Sequence, residues 1–215
     1  MLCPHCRISF HENWVPFHGQ APDVDGTWNA QWTTCPSCNR PTIVIMHFSP
    51  DGTNEEDIVV YPKTTPRPPV PPEVPPEYAE DYTEACLVLT DSPKASAALS
   101  RRCLQSILVN VAKAKGGDLA KQIDDVLNSK QLPSYLADDI DAVRAVGNFA
   151  AHPVKYQNTG ALVPVESGEA DWLLEVLEGL FDFYFVAPAK AATRRLAFND
   201  KQTAAGKPSL KQPPS

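Results

Sequence analysis

The stretch from Ser92 to Gly117, "SPKASAALSRRCLQSILVNVAKAKGG", decides the fold of the larger part of this 215-residue chain. Apolar side chains recur in it at the spacing of an α-helix and form one stripe along it. The stripe consists of Leu99, Cys103, Leu104, Ile107, Leu108 and Val111. Ser92 is a typical N-cap residue, Pro93 suits the first helical position, and the closing glycine pair is typical of a helix end. The stretch therefore predicts one long amphipathic helix.

Similar patterns lie on both sides of this helix and predict an all-α bundle of four or five helices. They begin near Glu77, Asp118, Ser134 and Glu169. The last pattern, "EADWLLEVLEGLFDFYFVAP", carries a broad apolar face, and Pro188 is predicted to end it. Cys86 and Cys103 fall on apolar faces, where cysteine usually serves as a small core residue.

The other four cysteines form two C-x-x-C pairs near the N-terminus, Cys3 with Cys6 and Cys35 with Cys38. Each pair can present two thiolates to one ion from a tight turn, and two pairs complete the tetrahedral shell that zinc prefers. Four cysteines leave no open coordination position, so the predicted Zn²⁺ site is structural. His5 lies inside the first turn and is interpreted as a bystander.

Three β-rich runs surround the cysteines, "TWNAQWTT", "PTIVIMHF" and "DIVVYP", and predict a small sheet beside the metal. Residues 1–62 are therefore interpreted as a four-cysteine zinc ribbon whose folding energy comes largely from the metal. The predicted fold class is mainly α, a small β-rich zinc ribbon followed by a helical bundle.

Proline content and charge distinguish the remaining segments of the chain from one another. Residues 63–76 are rich in proline and are interpreted as a semi-rigid spacer; they also resemble ligands of proline-binding domains. The helical domain is assigned to residues 77–198, and residues 199–215 to a disordered basic tail. The chain has a net charge of −7, whereas residues 191–215 carry five basic side chains and one acidic side chain. Contact with nucleic acid is therefore expected only at a local patch or at this tail.

One polar stripe interrupts the apolar pattern of the helix that begins at Ser134. Arg144, Asn148 and His152 follow one another at four-residue steps, and each step displaces the side chain by only about 40° around the helix. Pro153 ends the helix next to His152. An imidazole can move the protons of a ribose-phosphate reaction, an arginine can hold the phosphate and an asparagine can orient either group. The stripe is therefore a candidate site for metal-independent RNA cleavage.

Two segments, "SPKASAALSRRCLQSIL" and "QLPSYLADDIDAVRAVGNFAAHP", resemble the bacterial family called domain of unknown function 4145, which is related to the HEPN superfamily (higher eukaryotes and prokaryotes nucleotide-binding). The resemblance covers roughly residues 77–190. It implies a HEPN-like helical bundle that forms a homodimer. It also implies metal-independent endoribonuclease activity of the kind found in defence, toxin–antitoxin or RNA-processing systems. The HEPN hallmark is an arginine, commonly followed by asparagine, shortly before a histidine. Asn148 and His152 match it, Gly147 stands where the arginine is usual, and Arg144 is the candidate for its role.

Three interpretations of function remain open at this point. The first is a ribonuclease with Arg144, Asn148 and His152 as catalytic residues. The second is a non-catalytic module that binds RNA or a nucleotide. The third is a protein–protein interaction scaffold with a structural zinc ribbon, in which Arg144 pairs with an acidic residue such as Asp141 or Asp171.

The chain shows neither a secretory signal nor an apolar run of the roughly 18 residues that a membrane span needs. A cytoplasmic location without membrane contact is therefore expected. A reducing compartment also favours metal binding over disulfides for the paired cysteines.

Overall fold

A computed structural model of the chain describes residues 1–65, 67–151 and 165–211, with residues 145–151 described by their backbone alone. The chain divides into two compact units, Met1–Pro66 and Arg67–Ser215. The first is β-rich and the second is helical.

The N-terminal unit contains a five-stranded antiparallel sheet within residues 1–65. Its strands are β1 (Val15–Pro16), β2 (Ala21–Asp23), β3 (Gly26–Thr34), β4 (Pro41–Phe48) and β5 (Asn54–Tyr61). β3 pairs with β4 and β4 with β5, while β1 and β2 both pair with the free side of β3. The three predicted strands are confirmed as β3, β4 and β5. The two short strands were not predicted, because two or three residues show no alternation.

A close backbone approach fixes the start of β3. Gly26 adopts φ +148°, and a Cβ atom there would lie only 2.0 Å from the carbonyl oxygen of Phe48 on β4. Only glycine therefore fits as the first residue of β3. The β3–β4 register then places Trp28 opposite His47 and Trp32 opposite Ile43.

The helical unit contains α1 (Pro76–Val88), α2 (Pro93–Asn110), α3 (Leu119–Ser129), α4 (Ser134–Ala151), α5 (Ser167–Phe181) and α6 (Ala187–Ala204). The predicted helical bundle is confirmed. The predicted N-caps are also present: Ser92 accepts the N–H of Ala95 at 3.3 Å, and Asp118 accepts the N–H of Lys121 at 2.9 Å.

Helix α2 lies at the centre of the bundle and packs against α1, α3, α4 and α5. Its predicted apolar stripe is buried at Cys103, Leu104, Ile107 and Leu108. These side chains belong to a single core that also includes Tyr82 of α1, Ile123 of α3, Ile140 of α4 and Leu177 of α5. None of the helices in the described ranges is long and apolar enough to cross a bilayer.

The prediction that Pro188 ends the last core helix is wrong. A π-helical turn, Asp182–Val186, follows α5, and the N–H of Ala187 bonds to the carbonyl of Asp182, five residues earlier. Proline lacks an N–H and its ring collides with the carbonyl four residues before it. The wider turn accommodates Pro188 at the start of α6, which then continues to Ala204. Residues 199–204, which the sequence assigned to the tail, thus form the end of this helix.

Candidate functional site

The two cysteine pairs lie in two turns with the same backbone geometry. The N–H of Cys3 bonds to the carbonyl of Ile8, and the N–H of Cys35 bonds to that of Arg40, five residues on in both cases. Arg7 and Asn39 take the same place in the two turns and have left-handed φ values of 61° and 56°. The sequence thus builds the same cysteine turn twice.

The four sulfur atoms meet between the turns and form a four-cysteine cluster. The Cys3 and Cys38 sulfurs are 3.8 Å apart, the Cys6 and Cys35 sulfurs are 3.7 Å apart, and all four lie within 4.8 Å of one another. A tetrahedral zinc ion with Zn–S bonds of about 2.3 Å requires sulfur atoms about 3.8 Å apart. The four-cysteine cluster therefore has the dimensions of a zinc site.

The backbone favours thiolates in this cluster. Burial alone would raise the pKa of Cys3, but the backbone N–H groups of Cys6 and His5 lower it to about 6. The N–H of Arg40 lowers the pKa of Cys38, yet burial and the neighbouring thiols raise it to about 11 overall. Four crowded thiols compete for negative charge, and a divalent cation would allow all of them to ionise.

The contacts of His5 lie outside the sulfur cluster. Its Nε2 atom lies 2.8 Å from the carbonyl oxygen of Pro41, and its ring centroid lies 5.6 Å from that of Tyr61. The imidazole therefore links the first turn to β4 and β5.

Of the predicted polar stripe, the structure describes only the Arg144 side chain. Its Nη2 atom lies 2.6 Å from a carboxylate oxygen of Asp124 on α3 and 3.0 Å from one of Asp141 on α4. The guanidinium thus joins two helices and is paired with two acids. The predicted partner Asp141 is confirmed; Asp171 instead pairs with Arg67.

The other two members of the stripe fall where side chains are not described. Asn148 belongs to the last turn of α4, which ends at Ala151. His152 lies outside the described residues. The candidate catalytic set of Arg144, Asn148 and His152 therefore stays a prediction.

A cluster around Arg67 was missed by the sequence analysis. The Arg67 side chain is only 10% exposed and its guanidinium contacts Asp171, Glu175 and Glu178 of α5. Burial would lower the pKa of Arg67, but the carboxylates of Asp171 and Glu178 raise it well above its ordinary value. The available signal was the spacing of the three acids, which share one face of an otherwise apolar helix.

The residues that follow Arg67 also pack on the helical unit. Val70 lies against the core and Val74 is 6% exposed. From Arg67 onward the segment that was interpreted as a spacer is therefore docked, because it buries apolar side chains and an ion pair.

Helix α6 presents a group of exposed cations. It buries no residue, and Lys190, Arg194 and Lys201 are exposed. No ion pair joins these three cations to any carboxylate that the structure describes. At about 100° per residue the three lie within about 40° of one another, so they share one face. Phe198, which is 44% exposed, borders this face.

The architecture is that of a small β unit with a four-cysteine cluster, followed by a helical bundle. The chain belongs to the family described as "Domain of unknown function (DUF4145)", which matches residues 83–199, more than half of the 215 residues. No curated protein and no solved structure matches the chain. The match covers most of the helical unit and begins after the four-cysteine cluster.

Proposed function

We propose that this protein binds single-stranded RNA through helix α6, with the four-cysteine cluster as a structural zinc site. The observation that carries the proposal is the exposed face formed by Lys190, Arg194 and Lys201, with Phe198 at its border. Cations at this spacing can contact successive phosphates, and an exposed aromatic ring can stack on a base.

Charge elsewhere on the helical unit supports the choice of α6. Arg67, Arg102 and Arg144 each contact acidic side chains and are thereby neutralised. From residue 190 to residue 211 the chain carries six basic side chains and one acidic side chain, although its overall net charge is −7. This difference in charge concentrates the attraction for a polyanion on residues 190–211.

An anionic membrane surface is a less suitable partner for α6 than single-stranded RNA. A helix that lies in a membrane interface needs one continuous apolar face opposite its cations. The exposed apolar side chains of α6, Leu196 and Phe198, are two positions apart and point about 200° from each other around the helix. The helix therefore lacks the face that lipid would cover, and single-stranded nucleic acid is favoured.

The test is a binding titration of a labelled 20-nucleotide RNA at several salt concentrations. The variant Lys190→Glu/Arg194→Glu/Lys201→Glu should weaken binding at least about tenfold and flatten the salt dependence, because each lost phosphate contact reduces the slope. A matched control, Lys94→Glu/Lys115→Glu/Lys130→Glu, reverses the same number of exposed charges outside α6. Equal loss in both variants would refute a site on α6, and vesicle binding without RNA binding would identify a membrane contact instead.

RNA cleavage by Arg144, Asn148 and His152 is the more specific proposal carried by the HEPN resemblance. Helix α4 runs to Ala151, as the prediction requires, so Asn148 lies within its last turn. The guanidinium of Arg144 would have to exchange Asp124 and Asp141 for a phosphate. Chelator-resistant cleavage that is lost in His152→Ala would support the proposal, whereas cleavage that survives this substitution would refute it.

Two further expectations accompany these proposals. Zinc at the four-cysteine cluster predicts one zinc ion per chain by elemental analysis. The homodimer implied by the resemblance predicts a mass of twice 23.5 kDa by sedimentation equilibrium. A protein partner that binds in pull-downs, with no effect of RNA, would favour the scaffold interpretation.

A further inference from the structure

The proline-rich residues 67–72, "RPPVPP", lie across helices α1 and α5 as a strap whose arginine is its anchor. The Nη2 atom of Arg67 lies 2.7 Å from a carboxylate oxygen of Asp171 and 2.8 Å from the Asp171 carbonyl oxygen. Its Nη1 atom lies 3.0 Å from a carboxylate oxygen of Glu178. A planar guanidinium with several aligned acceptors is held in one orientation, which a lysine could not reproduce.

The acceptor Glu178 is itself fixed by an aromatic residue of α1. The hydroxyl of Tyr82 donates to the same Glu178 oxygen at 2.5 Å. Burial and this carboxylate raise the pKa of Tyr82, so the phenol keeps the proton it donates. The Tyr82 ring packs edge-on against Phe181 of α5, with the ring centroids 5.4 Å apart. The strap therefore lies in a groove whose own residues hold one another in place, with acids at one end and aromatic rings in its floor.

The apolar part of the groove is incompletely filled by the strap. A cavity of about 200 Å³ lies between Pro68, Pro69 and Pro71 on one side and Tyr82, Phe181 and Val186 on the other. The cavity is partly open to solvent and its lining is mainly apolar. A peptide from another molecule could place its prolines closer to the rings of Tyr82 and Phe181 than the strap does.

We propose that this groove, formed by Asp171, Glu178, Tyr82 and Phe181, is a recognition site for arginine-bearing proline-rich peptides. The strap occupies it in cis. Proline-rich segments suit such grooves, because they are stiff before binding and carry few N–H groups that need partners. The ligand class is an Arg-Pro-Pro sequence, since the acids select a guanidinium and the rings select proline. Lys190 of α6 also lines the cavity, so this site adjoins the RNA contact proposed on α6.

The experiment uses the full-length chain and a fluorescent peptide with the sequence of residues 64–74, "TTPRPPVPPEV". In the variant Arg67→Ala the strap loses its anchor and no longer competes at the millimolar effective concentration of a tethered ligand. This variant should bind the peptide at least about tenfold more tightly than the wild-type chain. The same peptide with alanine in place of its arginine should bind weakly, and adding Glu178→Gln to Arg67→Ala should abolish the gain.

A second variant guards against the possibility that Arg67→Ala fails to fold. Val70→Ser/Pro71→Gly loosens the strap and leaves every groove residue and Arg67 itself in place. It should also raise peptide affinity, with helicity unchanged by circular dichroism. If folded strap variants bind the arginine and alanine peptides equally, or bind neither, the groove only packs its own strap and the proposal is wrong.

Discussion

In the N-terminal unit the buried apolar side chains are Cys3, Cys35 and Val44, whereas the helical unit buries a continuous core drawn from α1 to α5. Over residues 1–65, two of these three buried apolar side chains are therefore candidate metal ligands. The helical unit can rely on burial of apolar surface, at about 25 cal/mol per Å². The comparison teaches that a metal can take the place of a hydrophobic core in the N-terminal unit. Substitutions in the N-terminal unit test the contribution of the metal, and substitutions in the helical unit test the contribution of the core.

The largest effect is expected from Cys35→Ser. If Cys35 binds zinc as proposed, its loss removes binding energy on the order of 10 kcal/mol that is also folding energy, so the N-terminal unit should unfold. Trp14, Trp28 and Trp32 lie in this unit and only Trp172 lies in the other, so tryptophan emission should shift to longer wavelength. Helical circular dichroism at 222 nm should persist.

Cys103→Ser is the matched control for Cys35→Ser, because it changes a buried cysteine of α2 whose sulfur lies 3.5 Å from the Tyr78 carbonyl oxygen. Zinc content and tryptophan emission should stay normal in this variant. A Cys35→Ser protein with native tryptophan emission and no bound metal would contradict the view that zinc replaces a core.

The next largest effect is expected in the helical core. Leu104→Ala deletes a side chain that is 2% exposed and should cost about 2–5 kcal/mol in the free energy of unfolding, measured by urea titration at 222 nm. Zinc content should be unchanged. Leu196→Ala on α6 makes the same deletion at a side chain that is 65% exposed and should cost less than about 0.5 kcal/mol. Equal losses at the two leucines would show that α6 packs in solution.

In both units, the features that depend on neighbouring residues could be predicted from the sequence. The two cysteine turns depend on residues a few positions apart, so the two C-x-x-C pairs were sufficient to predict the four-cysteine cluster. Helix α2 was equally predictable from the sequence, because the cap at Ser92 and the apolar stripe through Ile107 are local patterns. In both cases a short segment contains the physical reason for its own structure.

Features that depend on distant partners were not predicted. Arg67 and Asp171 are 104 positions apart, and nothing near Arg67 in the sequence indicates an acidic partner on α5. The proline density around Arg67 was interpreted as a free spacer. Proline is typical of both linkers and docked straps, so its density alone does not distinguish them. Pro188 was interpreted as a helix end because a sequence does not show when a π-helical turn will accommodate the ring.

An intermediate effect is expected from Arg67→Ala. The Arg67 side chain is 10% exposed and its loss leaves Asp171 and Glu178 facing each other, so the helical unit should lose about 1–3 kcal/mol. Arg102→Ala is the control, because its pair with Asp81 involves an arginine that is 63% exposed and should contribute less than about 1 kcal/mol. Equal losses in urea titrations would mean that the strap is not docked in solution.

The smallest effect is expected from Arg144→Ala, and it bears directly on function. The Arg144 side chain is 37% exposed and its partners Asp124 and Asp141 are more exposed still, so the pair should contribute no more than about 1 kcal/mol. A double-mutant cycle with Asp124→Asn measures this coupling. If Arg144 only joins α3 to α4, RNA affinity should stay unchanged while the small stability loss appears.

If Arg144 instead serves cleavage, Arg144→Ala should abolish chelator-resistant RNA cleavage while leaving RNA binding at α6 intact. Asp124→Asn then provides the sharper measurement. Freeing the guanidinium from one carboxylate should raise the cleavage rate of a catalytic arginine, because phosphate would face less competition for it. For a structural arginine the same substitution should only lower stability. The direction of that single change separates an arginine that holds two helices together from one that is available to a phosphate.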